Sequence, residues 1–363
     1  MKLKKRKIKF AAIFFICWLA FLVFLVDGVL KFQTLVDYFG SYALVEICLL
    51  LLVILPTLAV YGFTKERLIG IYMLKDKNLV AILLAILAAA LYAISTPVSK
   101  VMLQTVAPTM VAAFLYLGAG IGMGAMMLVR SGRHRTTEER LHRSDIPYAV
   151  AMIVLDIAAP ILMMYGLRTC SASNTSLLNN FEIVATALIA LLFFGESVKR
   201  KLWIAIMLVT TASILLSLED GNMSEALSFS RGSLLVLGAT ICWGLENNCT
   251  RQIADRDPME IVTVKGFGSG LGALMIAVCV GSEFPTLQHI AIILLLGYVA
   301  YGLSIYFYTY AQRTIGAAKT STYYALAPFI GALLSILLLG EPVTIIFIIA
   351  SILMAAGCWI AAK

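Results

Sequence analysis

Charged residues are scarce in this chain. They make up 13% of its 363 residues, whereas apolar residues make up 61% and the mean hydropathy is +0.95. A soluble domain carries roughly a quarter charged residues, so this composition excludes an ordinary soluble fold. The alternating segments of about ten residues that build a transmembrane barrel are missing as well.

Motifs of catalysis and metal binding are also missing. The three histidines, His134, His142 and His289, fall in predicted loops or at the edge of an apolar run, and there is no HExxH, no Walker loop and no plausibly placed Ser-His-Asp set. The seven cysteines are odd in number and form no CxxC pair, which argues against disulfides and zinc. We therefore expect no enzyme, no catalytic residue, no cofactor, no metal and no ATP-driven pump.

Long apolar runs dominate what remains. Each has close to twenty residues, which is enough for a helix to cross ~30 Å of hydrocarbon. The predicted fold class is therefore an all-α polytopic membrane protein in contact with a lipid bilayer. The predicted spans lie near residues 9–30, 42–63, 79–99, 109–129, 147–167, 173–194, 202–218, 232–250, 259–280, 290–311, 317–339 and 343–361.

The formal net charge of +8 would suit nucleic acid, but the basic residues follow the predicted topology. With the N-terminus inside, the internal segments collect nearly all the lysines and arginines, led by the loop Arg130–Arg143. The external loop Glu219–Ser230 is acidic. This bias is the positive-inside rule. We expect no nucleic-acid partner, a location in the cell membrane, and both termini in the cytoplasm.

One stretch of the sequence is repeated within the chain. Tyr165–Glu196 recurs 145 positions later, without a gap, as Tyr310–Glu341. Both copies have a small and polar opening, a long apolar helix and a Gly-Glu end. Each copy belongs to a set of five predicted spans, so the second set must enter the membrane from the opposite face, and such duplication is typical of transporters.

The repeat predicts the domain organisation. Residues 79–218 form a first five-helix repeat, and residues 232–363 form a second, inverted one. Residues 1–78 are left over as two extra N-terminal transmembrane helices and a cytoplasmic linker. The predicted architecture is thus a ten-helix body of two inverted five-helix repeats plus two added helices. The added helices would either pack against the body or form the interface of a homodimer.

Glycines recur with helical spacing at the same place in both halves. Each set contains two overlapping GxxxG patterns, which let helix backbones approach closely inside a membrane. The two sets are Gly118, Gly120, Gly122 and Gly124 in the first half, and Gly266, Gly268, Gly270 and Gly272 in the second.

Four ionisable residues fall at membrane depth, where such side chains are costly and are functional candidates. Glu182 shares a helical stripe with Ser176, Asn179 and Thr186, which predicts either a cavity or a helix-packing hydrogen bond. The other three are Asp156, Glu246 and Lys265. Glu246 and Lys265 lie at similar depths, so an ion pair is predicted, either structural or functional.

Polar and aromatic residues supply further candidates. Tyr301 is the tyrosine nearest the middle of the membrane and is the predicted substrate contact. Tyr92 and Ser95 interrupt an apolar run, where a bent helix would line a cavity. Lys100 and Arg251 stand at span ends, where long side chains snorkel towards water.

These residues resemble the EamA-type branch of the drug/metabolite transporter superfamily. The resemblance covers about Leu79 to Lys363, and it is carried by Phe194-Gly195-Glu196, Leu339-Gly340-Glu341-Pro342, Ala327-Pro328 and Trp243-Gly244. It implies ten helices in two inverted repeats around a central cavity, and export or exchange of amino acids, metabolites and other small solutes. Glu182-Ile183 in place of a second Ala-Pro pair, and Tyr92-Ala93 in place of a second Trp-Gly pair, depart from the family pattern.

The favoured function is therefore secondary transport of a small-molecule substrate, such as an amino acid, by alternating access. Glu182, with Asp156 or Glu246 as its partner, would bind a proton or a cationic group of the substrate, because buried carboxylates take up protons readily. A non-transporting receptor and a membrane-embedded enzyme remain the alternatives at this point.

Overall fold

A computed structural model of the protein describes residues 77–131, 139–194, 200–219, 230–253 and 255–361. Apart from residues 77–80, these residues belong to one compact unit, Ala81–Lys363. The predicted spans at 9–30 and 42–63 lie outside the described residues. So do the Gly195-Glu196 tip, half of the loop 130–143 and most of the loop 219–230.

The described residues are almost entirely helical, and none of them forms a strand beyond an isolated bridge between Glu139 and Arg256. The helices are α1 Lys77–Ala93, α2 Ser95–Met102, α3 Pro108–Ser131, α4 Ile146–Thr169, α5 Ala172–Leu178, α6 Phe181–Phe194, α7 Arg200–Glu219, α8 Arg231–Arg251, α9 Pro258–Cys279, α10 Leu287–Gly297, α11 Ser304–Ile315, α12 Ala317–Tyr324, α13 Ala327–Leu339 and α14 Ile345–Ala361. A 3₁₀ turn, Arg143–Asp145, precedes α4, and a π-helical turn, Tyr298–Leu303, joins α10 to α11.

Seven of the described helical stretches are long and apolar enough to cross a membrane. The predicted span 232–250 coincides with α8, a helix of 21 residues that carries Glu246 and two asparagines. The last two predicted spans contain the shorter apolar helices α13 and α14. Large apolar side chains on the outside, such as Leu192 at 73% and Ile345 at 76% exposure, suit contact with lipid rather than water.

Short polar residues determine where several helices begin. The side chain of Ser171 accepts a hydrogen bond from the backbone N–H of Asn174 at 3.2 Å, and Asp257 accepts one from Met259 at 3.0 Å. These caps satisfy amides that have no partner within the helix. At the other end, Gly340 adopts a left-handed conformation (φ 64°) that terminates α13, because glycine pays no Cβ penalty there.

The duplicated glycines bring the backbones of α3 and α9 together, and Gly118 brings α3 against the backbone of α10. A Cβ built on Gly120 of α3 would lie 2.7 Å from the Phe267 nitrogen of α9, and one built on Gly266 would lie 2.4 Å from the Gly120 nitrogen. A Cβ on Gly118 would lie 2.0 Å from the Leu294 carbonyl oxygen of α10. The close approach predicted from the paired GxxxG patterns is therefore present in the structure.

Helix pairs divide the unit into contacting sets. The α3 helix packs along α9, α8 packs along α4 and α6, and α7 packs along α14. The short helix α5 packs on α13. Residues of α1, α2, α4, α8 and the π-helical turn, with Asn179 directly after α5, lie around one interior space.

Two interruptions of the helices lie beside this interior space. The backbone breaks between α1 and α2 at Ile94, and between α5 and α6 at Asn179–Asn180. The sequence predicts an unbroken helix over 173–194, and the structure differs because Glu182 N–H bonds the Asn179 carbonyl in a tighter turn, while the Asn180 amide donates to the Leu177 carbonyl. The predicted stripe through Ser176 and Thr186 is therefore split between two helices.

Candidate functional site

A cavity lies among the interrupted helices. The space between their side chains is small, with room for about one water molecule. Four predicted site residues line it, namely Tyr92, Ser95, Asn179 and Tyr301. The rest of the lining is Thr96, Ser99, Met163, Met164, Leu167 and Trp243.

Two polar atoms in the cavity lining have no hydrogen-bond partner. They are the buried Ser99 Oγ and the buried Asn179 Oδ1. Buried polar atoms are nearly always paired, so each unpaired one needs a physical explanation. A ligand or water in the cavity would supply the missing partners.

Aromatic rings form one wall of the site, and we call Tyr92, Tyr116 and Tyr301 the tyrosine wall. The Tyr301 ring lies 5.6 Å from that of Tyr92 and 5.4 Å from that of Tyr116, between ring centroids. Tyr301 stands on the π-helical turn, a widened turn that often marks functional sites. Tyr324 extends the wall, 6.0 Å from Tyr92.

A buried ionic triad, Asp156, Lys265 and Glu246, lies behind this wall. The Lys265 Nζ is 2.9 Å from Asp156 Oδ2 and 3.1 Å from Glu246 Oε1. The side chains are 0%, 14% and 3% exposed, in the order Asp156, Lys265, Glu246. The predicted pairing of Glu246 with Lys265 is present, and Asp156 joins it from α4. With all three groups charged, the triad carries one net negative charge.

Tyr116 connects the triad to the cavity. Its hydroxyl donates to Asp156 Oδ1 at 2.9 Å and accepts a hydrogen bond from the Trp243 ring nitrogen at 3.3 Å. Trp243 itself lines the cavity. At the other end, the Thr250 hydroxyl donates to Glu246 near the C-terminal end of α8. A chain of polar contacts therefore runs from the cavity to the end of that helix.

Glu182 makes a hydrogen bond to a neighbouring helix, α8. The Asn247 side-chain amide donates to Glu182 Oε1 at 2.6 Å and lies 3.4 Å from Thr186 Oγ1. Asp156 and Glu246 both contact Lys265. Glu182 also lies in the first turn of α6, where the helix dipole favours a negative charge.

Two charged residues hold the turn between α4 and α5. The Lys100 ammonium donates to the carbonyls of Leu167 at 2.7 Å and Cys170 at 2.5 Å, at the end of α4. The Glu341 carboxylate accepts hydrogen bonds from the N–H groups of Ala172 at 2.6 Å and Ser173 at 2.7 Å, at the start of α5. Lys100 therefore caps a helix rather than simply snorkelling, and each charge complements a helix terminus.

A second polar cluster ties the loop before α4 to the start of α9. The Arg256 Nε donates to Asp145 Oδ2 at 2.8 Å, and its guanidinium also pairs with Glu139. The hydrogen bond to Asp145 raises the pKa of Arg256, which keeps the guanidinium charged. Glu260 accepts a hydrogen bond from the Leu141 N–H at 3.0 Å.

Sequence reasoning missed three contributors to the site. Tyr116 was not singled out, although it is the one tyrosine in the predicted span 109–129. Asn247, which follows Glu246 directly in the chain, was not singled out either. Glu341 was noted as a repeat marker, and the duplication of the Gly-Glu end was the available signal for a structural role.

Apolar spans around a buried, charged and hydrogen-bonded centre define a multi-pass helical membrane protein. The chain belongs to the EamA-like transporter family, whose model matches residues 79–218 and 230–362. The protein is thus a membrane transporter that handles a small molecule in a lipid environment, as the sequence resemblance predicts.

Individual relatives agree with this assignment. An uncharacterized transporter of Methanothermobacter thermautotrophicus is 28% identical over 318 residues, covering 84% of this chain and 90% of the relative. The uncharacterized transporter YyaM of Bacillus subtilis is 22% identical over 246 residues, covering 66% of this chain and 80% of the relative. A solved crystal structure, 16% identical, covers 77% of this chain and 95% of its own with a TM-score of 0.58, which shows a similar fold.

Proposed function

We propose that the protein is a secondary transporter that moves a small metabolite, such as an amino acid or related solute, across the cell membrane by alternating access, as an exporter or exchanger. The observation that carries the proposal is the connection between an interior cavity and a buried ionic triad through Tyr116 and Trp243. Ionisable side chains at membrane depth are costly, and they commonly mark the pathways of substrates and ions.

The proposed body is two inverted five-helix repeats, at residues 79–218 and 232–363, with two added helices before them. Helix contacts support this arrangement, because equivalent members meet: α3 packs on α9, and α7 packs on α14. The equivalent spans 173–194 and 317–339 also meet, through α5 and α13. Such pairing is expected when two copies surround a two-fold axis. In the register of 145 residues, the interruption at Asn180 also corresponds to the one at Ala325.

Proton coupling completes the proposal. Glu182 and the triad place three carboxylates against one ammonium, so uptake of protons would reduce the net charge held in a low-dielectric interior. The titratable groups around the site come from eight elements. They are Asp156, Glu182, Glu246, Lys265, Tyr92, Tyr116, Tyr301, Tyr324, Cys242 and Cys249.

The test begins with purified full-length protein and a panel of metabolites. Binding raises the unfolding temperature with the logarithm of ligand concentration over Kd, so stabilising compounds identify candidate substrates. Flux of those compounds is then measured in proteoliposomes across a range of pH. We expect Glu182→Gln to lower the flux and flatten its pH dependence, and the exposed-site variant Glu283→Gln to change neither.

Two outcomes would count against this function. Unchanged flux and unchanged pH dependence in Glu182→Gln would remove Glu182 from the mechanism. A compound that binds tightly but never crosses the bilayer, in either direction and at any pH, would favour a receptor instead.

A further inference from the structure

We propose that the contact between α2, α5 and α13 is a gate of the transporter, and that the Glu341 carboxylate is the latch that holds this gate shut. The inference rests on the proposed transport function, and it assigns the structure to one of the two states that alternating access requires. Four observations carry it: the hydrogen bonds of the latch, the burial of α5, the unpaired polar atoms around α5, and the different surroundings of its counterpart α12.

The latch joins the two halves of the chain. The Glu341 carboxylate, just after α13, accepts hydrogen bonds from the Ala172 and Ser173 amides of α5 at 2.6 and 2.7 Å. The Lys100 ammonium of α2 donates to the Cys170 carbonyl, directly before α5, at 2.5 Å. Hydrogen bonds that involve a charged group are the stronger ones. Two charged side chains therefore attach the start of α5 to its neighbours, on what we call the closed face.

The α5 helix is completely buried on this face, although four of its seven residues are polar. It packs on α13, α2 and α8. A Cβ built on Gly331 of α13 would lie 2.9 Å from Ser176 Oγ and 3.2 Å from the Ala93 carbonyl oxygen. At this point the helices are too close for a solute to pass between them.

Several polar atoms in this contact have no hydrogen-bond partner. They are Ser99 Oγ of α2, Thr175 Oγ1 and Ser176 Oγ of α5, and Asn179 Oδ1 directly after α5. An unpaired polar group is unfavourable in the interior of a protein and is satisfied in water. Entry of water between the helices would therefore stabilise these groups, and the closed contact needs an additional interaction. The hydrogen bonds to Glu341 supply it.

The counterpart of α5 has the opposite surroundings. In the register of 145 residues, Asn174 and Ser176 of α5 correspond to Lys319 and Ser321 of α12. Asn174 and Ser176 are 4% and 1% exposed, whereas Lys319 and Ser321 are both exposed. Among the described helices, α12 packs mainly on α11, which precedes it in the chain. The molecule is therefore closed at the start of α5 and open at the start of α12.

This difference between equivalent helices is what alternating access requires, because one face has to be closed while the other is open. The topology predicted from the basic residues places the closed face outside the cell and the start of α12 in the cytoplasm. The structure is thus the inward-open state, and Glu341 stabilises it. Loss of the latch shifts the population towards a state in which water reaches α5 and α2.

The experiment measures how fast buried cysteines react with a water-soluble maleimide. Ser176→Cys on α5 and Ser99→Cys on α2 are introduced separately into a full-length variant without native cysteines, because they lie on the two sides of the gate. The proteins are reconstituted in lipid nanodiscs, where the reagent reaches both faces. We expect Glu341→Gln to speed the reaction at both positions by about tenfold, the effect typical of a lost hydrogen bond to a charged group.

Two controls accompany these variants. Glu283→Gln, an exposed glutamate, should leave both rates unchanged. Ser269→Cys reports on general loosening, because Ser269 is buried on α9 and donates to the Ile153 carbonyl of α4, and its rate should not respond to Glu341→Gln. Hydrogen exchange repeats the comparison without any cysteine variant, and we expect Glu341→Gln to speed exchange in both α2 and α5.

The extent of the change decides between a gate and a simple helix cap. If Glu341→Gln speeds the reaction of Ser173→Cys in the first turn, and leaves Ser176→Cys and Ser99→Cys unchanged, Glu341 is a helix cap only and the gate is overturned. Equal rates with Glu341 and with Gln at all three positions would overturn it too.

Proteoliposome flux separates this inference from the transport function. A metabolite that crosses the bilayer, with equal labelling rates in the parent protein and in Glu341→Gln, would leave transport standing and overturn the gate. Faster labelling of Ser176→Cys and Ser99→Cys in Glu341→Gln, without flux of any compound in the panel, would leave the gate standing and contradict transport.

Discussion

The Lys265 ammonium lowers the free-energy cost of burying two carboxylates. It lies between Asp156 and Glu246, and all three are at most 14% exposed. Removing a member of a buried ion pair leaves an uncompensated charge, which costs more than the pair itself contributes. The triad is therefore sensitive to loss of the cation and tolerant of simultaneous neutralisation.

We expect Lys265→Met to destabilise the protein by about 3–5 kcal/mol, because it leaves two buried carboxylates without a counter-charge. Unfolding in detergent, by heat or by denaturant, measures the change. The same substitution at the exposed Lys319 should have little effect.

A second neutralisation should restore part of the loss. Asp156→Asn combined with Lys265→Met leaves one carboxylate instead of two, so the double variant should be more stable than Lys265→Met alone. Equal stability of Lys265→Met and Lys319→Met would contradict the triad.

At the scale of the element, helix spacing depends on missing side chains. The α3 and α9 backbones touch at Gly120 and Gly266, whereas a Cβ on Gly124, one turn further along α3, would meet only ordinary contacts at 3.4 Å. The two positions share a helix, a residue type and a face, and they differ in the room available.

We expect Gly120→Ala to destabilise the protein by about 1–3 kcal/mol, because the added methyl group forces the two helices apart. Gly124→Ala should be neutral or slightly stabilising, since alanine favours helix over glycine by roughly 1 kcal/mol. Thermal unfolding of the pair in one detergent provides the measurement. A similar loss for both variants would mean that helix propensity, and not spacing, governs this interface.

The start of α5 offers a second test at this scale. Glu341 accepts hydrogen bonds from two of its first amides, so Glu341→Ala should cost about 0.5–2 kcal/mol, as other lost caps do. Glu283→Ala, at an exposed position, serves as the control. Hydrogen exchange at Ala172 and Ser173 should speed up in Glu341→Ala alone, and unchanged exchange would contradict the cap.

The sequence predicts the membrane spans and the buried ionisable residues, but only part of how they meet. Apolar length predicts the spans, and the rule that charges are costly in lipid selects Asp156, Glu182, Glu246 and Lys265. Similar depth also predicts the pairing of Glu246 with Lys265. It does not predict that Asp156 joins them from α4, because that contact depends on how the helices pack. The break at Asn179–Asn180 was missed since its cause is a local competition between side-chain and backbone hydrogen bonds.

For the whole molecule, the proposed inversion makes a prediction about the two ends of the duplicated stretch. In a variant without native cysteines, we expect Ser197→Cys and Val343→Cys to react with a membrane-impermeant thiol reagent from opposite sides of the membrane. The odd number of spans in each repeat is the reason. Labelling of both positions from one side in intact cells would exclude an inverted pair.

The π-helical turn at Tyr298–Leu303 has a consequence for the tyrosine wall. Such a turn is equivalent to a regular helix that has acquired one additional amino acid. Excising Ala300 would return the segment to ordinary α geometry, and each side chain on one flank would swing by roughly 100° about the axis relative to the other flank. Tyr301 could then no longer meet Tyr92 and Tyr116 with α10 and α11 both in place, so the position of this ring depends on a single inserted peptide unit.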